Sequence, residues 1–322
     1  VVGEVEADNT VTWGSPTVFE SAAIQTVGTV FDPDTERILI AFQDTGNSGY
    51  GTAIVAIPAA DNSIAFGAAN IFNSANSYIG ASGLAYDEDE NKVVIAYQDD
   101  GAGTGEAVVA TITGSTTNTV AFGTVFTFRA GARAQDICAV YDTSVNKTVI
   151  VYRDSGNGDF GTVILATMAS GTTNLSFGTA GVFHKYDVNS ESIAAIYDPN
   201  ISKTVIAYDA NSSAPGGAQG EYLTCTASEP PTFGKIYPFS PSASVNYTTL
   251  VYDEDQDVVV AAYEDDDDSD KGKAVVIDTD LTTSGNAYLD WMGFAAAGIS
   301  NGVEGTIDIV GVVNASQSSL TV

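Results

Sequence analysis

The stretch Leu84-Ala85-Tyr86-Asp87-Glu88-Asp89-Glu90-Asn91-Lys92-Val93-Val94-Ile95-Ala96-Tyr97 holds two short apolar runs around an acidic turn. Its outline returns four more times. The aromatic-Asp pair recurs at Phe31-Asp32, Tyr141-Asp142, Tyr197-Asp198 and Tyr252-Asp253, with spacings of 55, 55, 56 and 55 residues along the series. A second aromatic follows eleven residues later each time, at Phe42, Tyr97, Tyr152, Tyr208 and Tyr263. An aromatic-Gly pair keeps nearly the same period at Trp13-Gly14, Phe66-Gly67, Phe122-Gly123, Phe177-Gly178 and Phe233-Gly234. A fixed period carried by three marks is the signature of a repeat architecture.

Each unit resolves into four β-rich runs, A to D, exemplified by Ile193–Tyr197, Val93–Tyr97, Thr162–Thr167 and Thr119–Phe126. They are rich in β-branched and aromatic residues and bounded by Asp, Asn, Gly and Ser, which marks strands and turns. No segment sustains a period of about 3.6, so helix is expected to be scarce. Four strands in about 55 residues predict an all-β fold, a β-propeller of four-stranded antiparallel blades. Small residues in run A (Ala85, Ala139, Ala194, Ala195) fit the crowded axis of a ring. Short A–B, B–C and C–D connections read as hairpins, whereas D to A (Asn73 to Ser82) crosses between blades.

Five A–B pairs favour five blades, with Thr10–Phe19 closing the last one; six is the alternative, with Gly305–Val313 completing Val1–Phe19. The chain opens inside a C run without Met, which suggests a longer product upstream. The repeat breaks past residue 280, giving a propeller at 1–280 and a short β-rich C-terminal tail or assembly module at 281–322.

Composition narrows the function. The 322-residue chain carries 41 acidic and 11 basic residues, a net charge of −30. Nucleic acid and anionic lipid both need a basic surface, so neither is an expected partner. No run approaches the roughly 18 apolar residues that span a bilayer, so membrane insertion is not expected. One His and two Cys leave little for a zinc site or a His-based catalytic centre. Cys138 and Cys225 lie in apolar alternations and read as small buried hydrophobes. His184, without a Ser or Cys motif nearby, reads as a surface residue. Twenty-six of the 41 acids fall in A–B turns or B–C loops, so both faces of the disc are expected to be acidic.

The densest acidic run supplies the candidate metal ligands: Glu264, Asp265, Asp266, Asp267, Asp268 and Asp270. A flexible loop of hard oxygens suits Ca²⁺, although the ordered spacing and central Gly of an EF-hand are missing. No cofactor is required by this reading. The B–C loop Asp44-Thr45-Gly46-Asn47-Ser48-Gly49-Tyr50 reads as a hairpin with Gly and Asn at positive φ. Tyr50, Phe160, Tyr186 and Tyr247 are candidate glycan or receptor contacts, as loop aromatics able to stack on sugar rings. Paired acids of a glycosidase would stand out as exceptions to the repeat, whereas most acids here recur in turns, so no catalytic residue is assigned.

The repeat, most clearly Asn91–Tyr97 and Asp154-Ser155-Gly156-Asn157-Gly158-Asp159-Phe160-Gly161-Thr162, resembles repeats in tail-fibre and other appendage proteins of bacterial viruses. Ile299–Thr321 similarly looks like a module that follows such repeats. The resemblance implies a non-enzymatic structural or adhesive subunit of a viral tail fibre or extracellular filament, at the virion surface or outside the cell. Its partners would be copies of itself or other fibre subunits, and a cell-surface receptor or glycan. The alternatives are a propeller-fold carbohydrate-active enzyme of glycosidase type, or a soluble glycan-binding module.

Overall fold

A computed structural model describes residues 1–113, 118–214, 217–241, 244–277 and 279, and the backbone of two later strands, 291–295 and 307–311. The chain forms two compact units, Val1–Ile277 and Asp278–Val322. Among the described residues the first unit is built almost wholly of antiparallel strands, with three single-turn 3₁₀ segments.

The propeller reading holds, and five A–B–C units are present among the described residues. The A strands end on the repeating Asp: Ile24–Asp32, the second half of Asn70–Asp87, Ala134–Asp142, Ala194–Asp198 and Val245–Asp253. The B strands are Arg37–Asp44, Lys92–Asp99, Lys147–Asp154, Lys203–Ala210 and Val258–Asp265. The C strands are Tyr50–Pro58, Thr104–Thr113, Phe160–Met168, Gln219–Thr226 and Lys271–Ile277. In the first four blades a D strand split into two pieces completes the sheet against C. The first D-to-A crossing is one continuous strand, Asn70–Asp87, which belongs to two blades in turn.

The B strands of the first four blades are buried on both faces, which is why they read as continuous apolar runs rather than alternations. Their neighbours lie in the adjoining blades. One cluster joins blades one and two around Leu39, Ile79 and Tyr97; the next joins two and three around Val109, Ile150 and Tyr152. Two more join blades three to four and four to five. The second aromatic of each unit packs against a Phe of the preceding D strand: Phe72–Tyr97, Phe128–Tyr152, Phe183–Tyr208 and Phe239–Tyr263, with ring centroids 5.1–5.4 Å apart. Each such burial is worth about 2 kcal/mol beyond exposure.

The aromatic-Gly mark has a steric reason. A Cβ on Gly67 would stand 1.9 Å from the Asn118 carbonyl oxygen of the next blade's C–D turn, so only Gly lets the strands meet. Gly14 repeats the contact with Asn62 of the first blade, at 1.8 Å, and Phe19 meets Phe42 edge to face with centroids 5.3 Å apart. The N-terminal hairpin thus sits beside blade one as the outer edge of a preceding unit. The expected pairing of Thr10–Phe19 with the last blade is not seen. Val11–Trp13 pairs with Gly3–Val5, and among the described residues Lys271–Ile277 pairs only Val258–Asp265. The second unit contains an antiparallel pair, Trp291–Ala295 with Ile307–Gly311. The six-blade strand candidate Gly305–Val313 and the module Ile299–Thr321 otherwise lie outside the described residues.

Candidate functional site

Four of the five A strands break their pairing at the same place, about five residues before the closing Asp. The register against B shifts between Gln25 and Val27, Ile79 and Leu84, Gln135 and Cys138, and Asn246 and Thr249. In blade four the corresponding residues precede the strand. The displaced residues Thr26, Asp136, Glu191 and Tyr247 adopt φ of 41°, 51°, 62° and 50°. For a non-Gly residue the left-handed region costs on the order of 1–2 kcal/mol, and such strain gathers at functional sites.

These bulges converge on one cavity of about 840 Å³, lined by the A run of all five repeats. Asp136 Oδ2 accepts the Arg153 Nε–H at 3.1 Å, and Oδ1 accepts the Glu191 backbone N–H at 3.3 Å. The Tyr247 N–H in turn donates to the Glu191 carbonyl at 2.9 Å. A hydrogen bond to the Glu191 carboxylate, reinforced by its charge, raises the Tyr247 phenol above its ordinary value. Three adjacent blades are thereby tied through these left-handed residues. Arg153 Nη1 also reaches Asp159 at 3.1 Å. Across the cavity Asp100 accepts Arg133 Nη2 at 2.7 Å and Gln98 Nε2 at 3.2 Å. Tyr78 and Tyr247 leave large parts of their rings exposed at the cavity, 39% and 64%.

The other sequence candidates fall elsewhere. In the acidic run, Asp265 is buried as the cap of its turn, accepting the N–H groups of Asp267 and Asp268 at 3.1 Å each. Lys273 bridges Asp265 and Asp268 at 2.6 and 3.1 Å, and Lys271 reaches Asp268 at 2.8 Å. Glu264, Asp266 and Asp270 bring carboxylate oxygens within 4.8 Å of one another, and Asp267 stands apart, exposed. Of the four aromatics, Tyr247 alone lines the cavity. Tyr50 and Phe160 are half-buried, and Tyr186 stands over His184 with centroids 5.7 Å apart.

Two local readings need correcting. His184 is buried, not a surface residue: it sits in a strand paired to Gly161, with Nδ1 3.2 Å from the Tyr208 hydroxyl. In the first B–C hairpin Ser48 and Gly49, not Asn47, take positive φ, because Thr45–Asn47 form a 3₁₀ turn first. Cys138 and Cys225 are both buried and free.

Asp136, Glu191 and Arg153 escaped the sequence reading. They lie outside the acid-rich runs, and the cavity takes unlike residues from successive repeats. Aligning the repeats on their aromatic-Asp pair would have exposed them. Five residues before it stand Thr26, Ala81, Asp136, Ser192 (next to Glu191) and Tyr247. One residue after the second aromatic stand Gln43, Gln98, Arg153, Asp209 and Glu264.

No family model and no curated protein matches the chain. Among solved structures it is similar to an exo-β-1,3-galactanase from Phanerochaete chrysosporium with galactose, at 9% identity and a TM-score of 0.44. That match covers 82% of this chain, which spans 60% of the galactanase's length. An α-L-arabinofuranosidase from Lactobacillus brevis matches at 12% identity and 0.44, over 75% of this chain and 84% of that one. The tail fibre of Staphylococcus aureus phage P68 matches at 10% identity and 0.22, over 80% and 70%. The likeness is one of fold. These findings correct the expectation of a non-enzymatic tail-fibre or filament subunit: the better matches over most of the chain are glycoside hydrolases, and the tail-fibre match is weak. The resemblance stands as a propeller resemblance.

Proposed function

We propose that the chain is a propeller-fold carbohydrate-active enzyme that hydrolyses glycosidic bonds in the cavity at its A strands. The observation that carries this reading is the pair Asp136 and Glu191. Both are exceptions to the repeat, both are held at left-handed φ, and they meet at one wall of a cavity large enough for a sugar. Glycoside hydrolysis asks for two carboxyl groups, one to protonate the leaving oxygen and one to activate water or attack the anomeric carbon. Asp136, with Arg153 as countercharge and one oxygen on the Glu191 N–H, is suited to be the carboxylate that works as base or nucleophile. Glu191, exposed at the cavity beside the Tyr247 phenol, supplies the second carboxyl group. The exposed rings of Tyr78 and Tyr247 offer stacking surfaces for sugar rings. Galactosides and arabinofuranosides are the first substrates to try, since they are the sugars named for the matched galactanase and arabinofuranosidase.

The test is a screen of chromogenic glycosides and polysaccharides with reducing-end analysis, run beside Asp136→Asn and Glu191→Gln. Turnover that either substitution lowers by about 100-fold or more supports the reading. Inactivity on the whole panel, or activity indifferent to both substitutions, overturns it.

A further inference from the structure

The reading of the cavity as a sugar site leaves the charge of the sugar open, and the walls address it. The acids lining the cavity are Asp100, Asp136 and Glu191; the basic residue lining it is Arg133. Arg133 is already engaged, with Nη2 2.7 Å from Asp100. The other nearby guanidinium, Arg153, is shared between Asp136 and Asp159 at 3.1 Å each. No lining cation is therefore left uncommitted among the described residues, while the lining side chains sum to a charge of −2. The chain as a whole carries −30, so its long-range field has the same sign. A ligand with its own carboxylate would meet three anions and would have to draw Arg133 away from Asp100. A ligand with a protonated amine would meet those anions as partners.

A second observation places binding groups at the same wall. Thr248, 8% exposed, lines the cavity, and its Oγ1 has no hydrogen-bond partner among the described residues. A hydroxyl both donates and accepts, so it can pair with a sugar hydroxyl or amine and is indifferent to charge. Selection by charge thus falls to the acids, and selection for a sugar to Thr248 and the two tyrosines.

Resting on the hydrolytic reading for the site itself, we infer that the cavity selects by charge: it takes neutral and amino-bearing sugars, the protonated amino sugar most tightly, and rejects uronic acids. At short range in a partly enclosed site, opposite and like charge separate such ligands by about tenfold or more at low salt.

The experiment is calorimetric binding of matched neutral, 2-amino and C6-oxidised tetrasaccharides on galactan and glucan backbones. It is run at mildly acidic pH, at about 20 and about 200 mM salt, with turnover recorded in parallel. The expected order is amino over neutral over uronate, with the spread narrowing at the higher salt. Asp100→Asn removes one anion and releases Arg133, so it should cut the preference for amino over uronate by about tenfold. Equal or tighter binding of the uronate overturns the inference. So does a preference that Asp100→Asn leaves unchanged, which would place its origin in the molecule's overall field. Hydrolysis of neutral sugars without any charge order would sink this inference and keep the enzymatic reading. The charge order without hydrolysis would do the reverse, and no binding by any sugar overturns both.

Discussion

His184 illustrates what burial does to one residue. Desolvation lowers its imidazolium below the ordinary value of 6.5, and the charge of Glu221 opposes that only in part. The Tyr208 hydroxyl, which lies 3.2 Å from Nδ1, also donates to Glu221 Oε2 at 2.7 Å. The unfolded chain therefore takes up the proton first as pH falls. The stability that neutral His184 contributes is complete above about 6.5 and is lost as pH drops below it. Thermal melts of wild type and His184→Gln should converge as the pH is lowered from about 7.5 to about 5. A constant gap would contradict this account. No local signal announced the residue: strand alternation around His184 is weak, and its partners Tyr208 and Glu221 come from the next blade. Asp136 and Glu191 were hidden for another reason. Their type is common in this chain, and only their departure from the repeat sets them apart.

At the scale of the element, what the sequence spelled out was the turn. In the A–B turns Asp32, Asp87, Asp198 and Asp253 each accept two backbone N–H groups from the residues that follow, and Asp142 accepts one. The recurring acids are therefore structural, as their period implied. Each turn then needs one left-handed residue, supplied by Glu36, Asn91, Asn146, Ser202 and Asp257 at φ of 52–54°. Asn tolerates that region better than Glu, so Glu36→Asn should raise stability by about 0.5–1 kcal/mol, read as an upward shift in the melting midpoint. An unchanged or lowered midpoint would argue against the turn geometry. The acidic B–C loop of blade five poses a separate question. With Asp265 and Asp268 drawn to Lys273, a cation would have to be held by Glu264, Asp266 and Asp270. We propose Ca²⁺ there. Millimolar calcium should raise the midpoint for wild type and not for Asp266→Asn combined with Asp270→Asn, and no rise in wild type removes the proposal.

Across the whole molecule, the repeat period was legible because each blade must present the same apolar faces to its neighbours. The four inter-blade clusters from Leu39 to Ile277 are the physical reason the pattern persists. What the period conceals is function, because averaging over repeats erases any position that differs in each. The net charge of −30 acts at this scale too. Self-repulsion is screened by salt, so raising NaCl from about 20 to about 500 mM should lift the melting midpoint by several degrees; a flat response would mean that the turn acids are already locally neutralised. The most direct test of the central claim remains turnover at the A-strand cavity, measured as kcat/KM on the best substrate of a glycoside panel for wild type, Asp136→Asn and Glu191→Gln. The account predicts hydrolysis that falls by about 100-fold or more in each variant while the melting midpoint holds. A wild-type protein inactive on every glycoside, or variants as active as wild type, would contradict it.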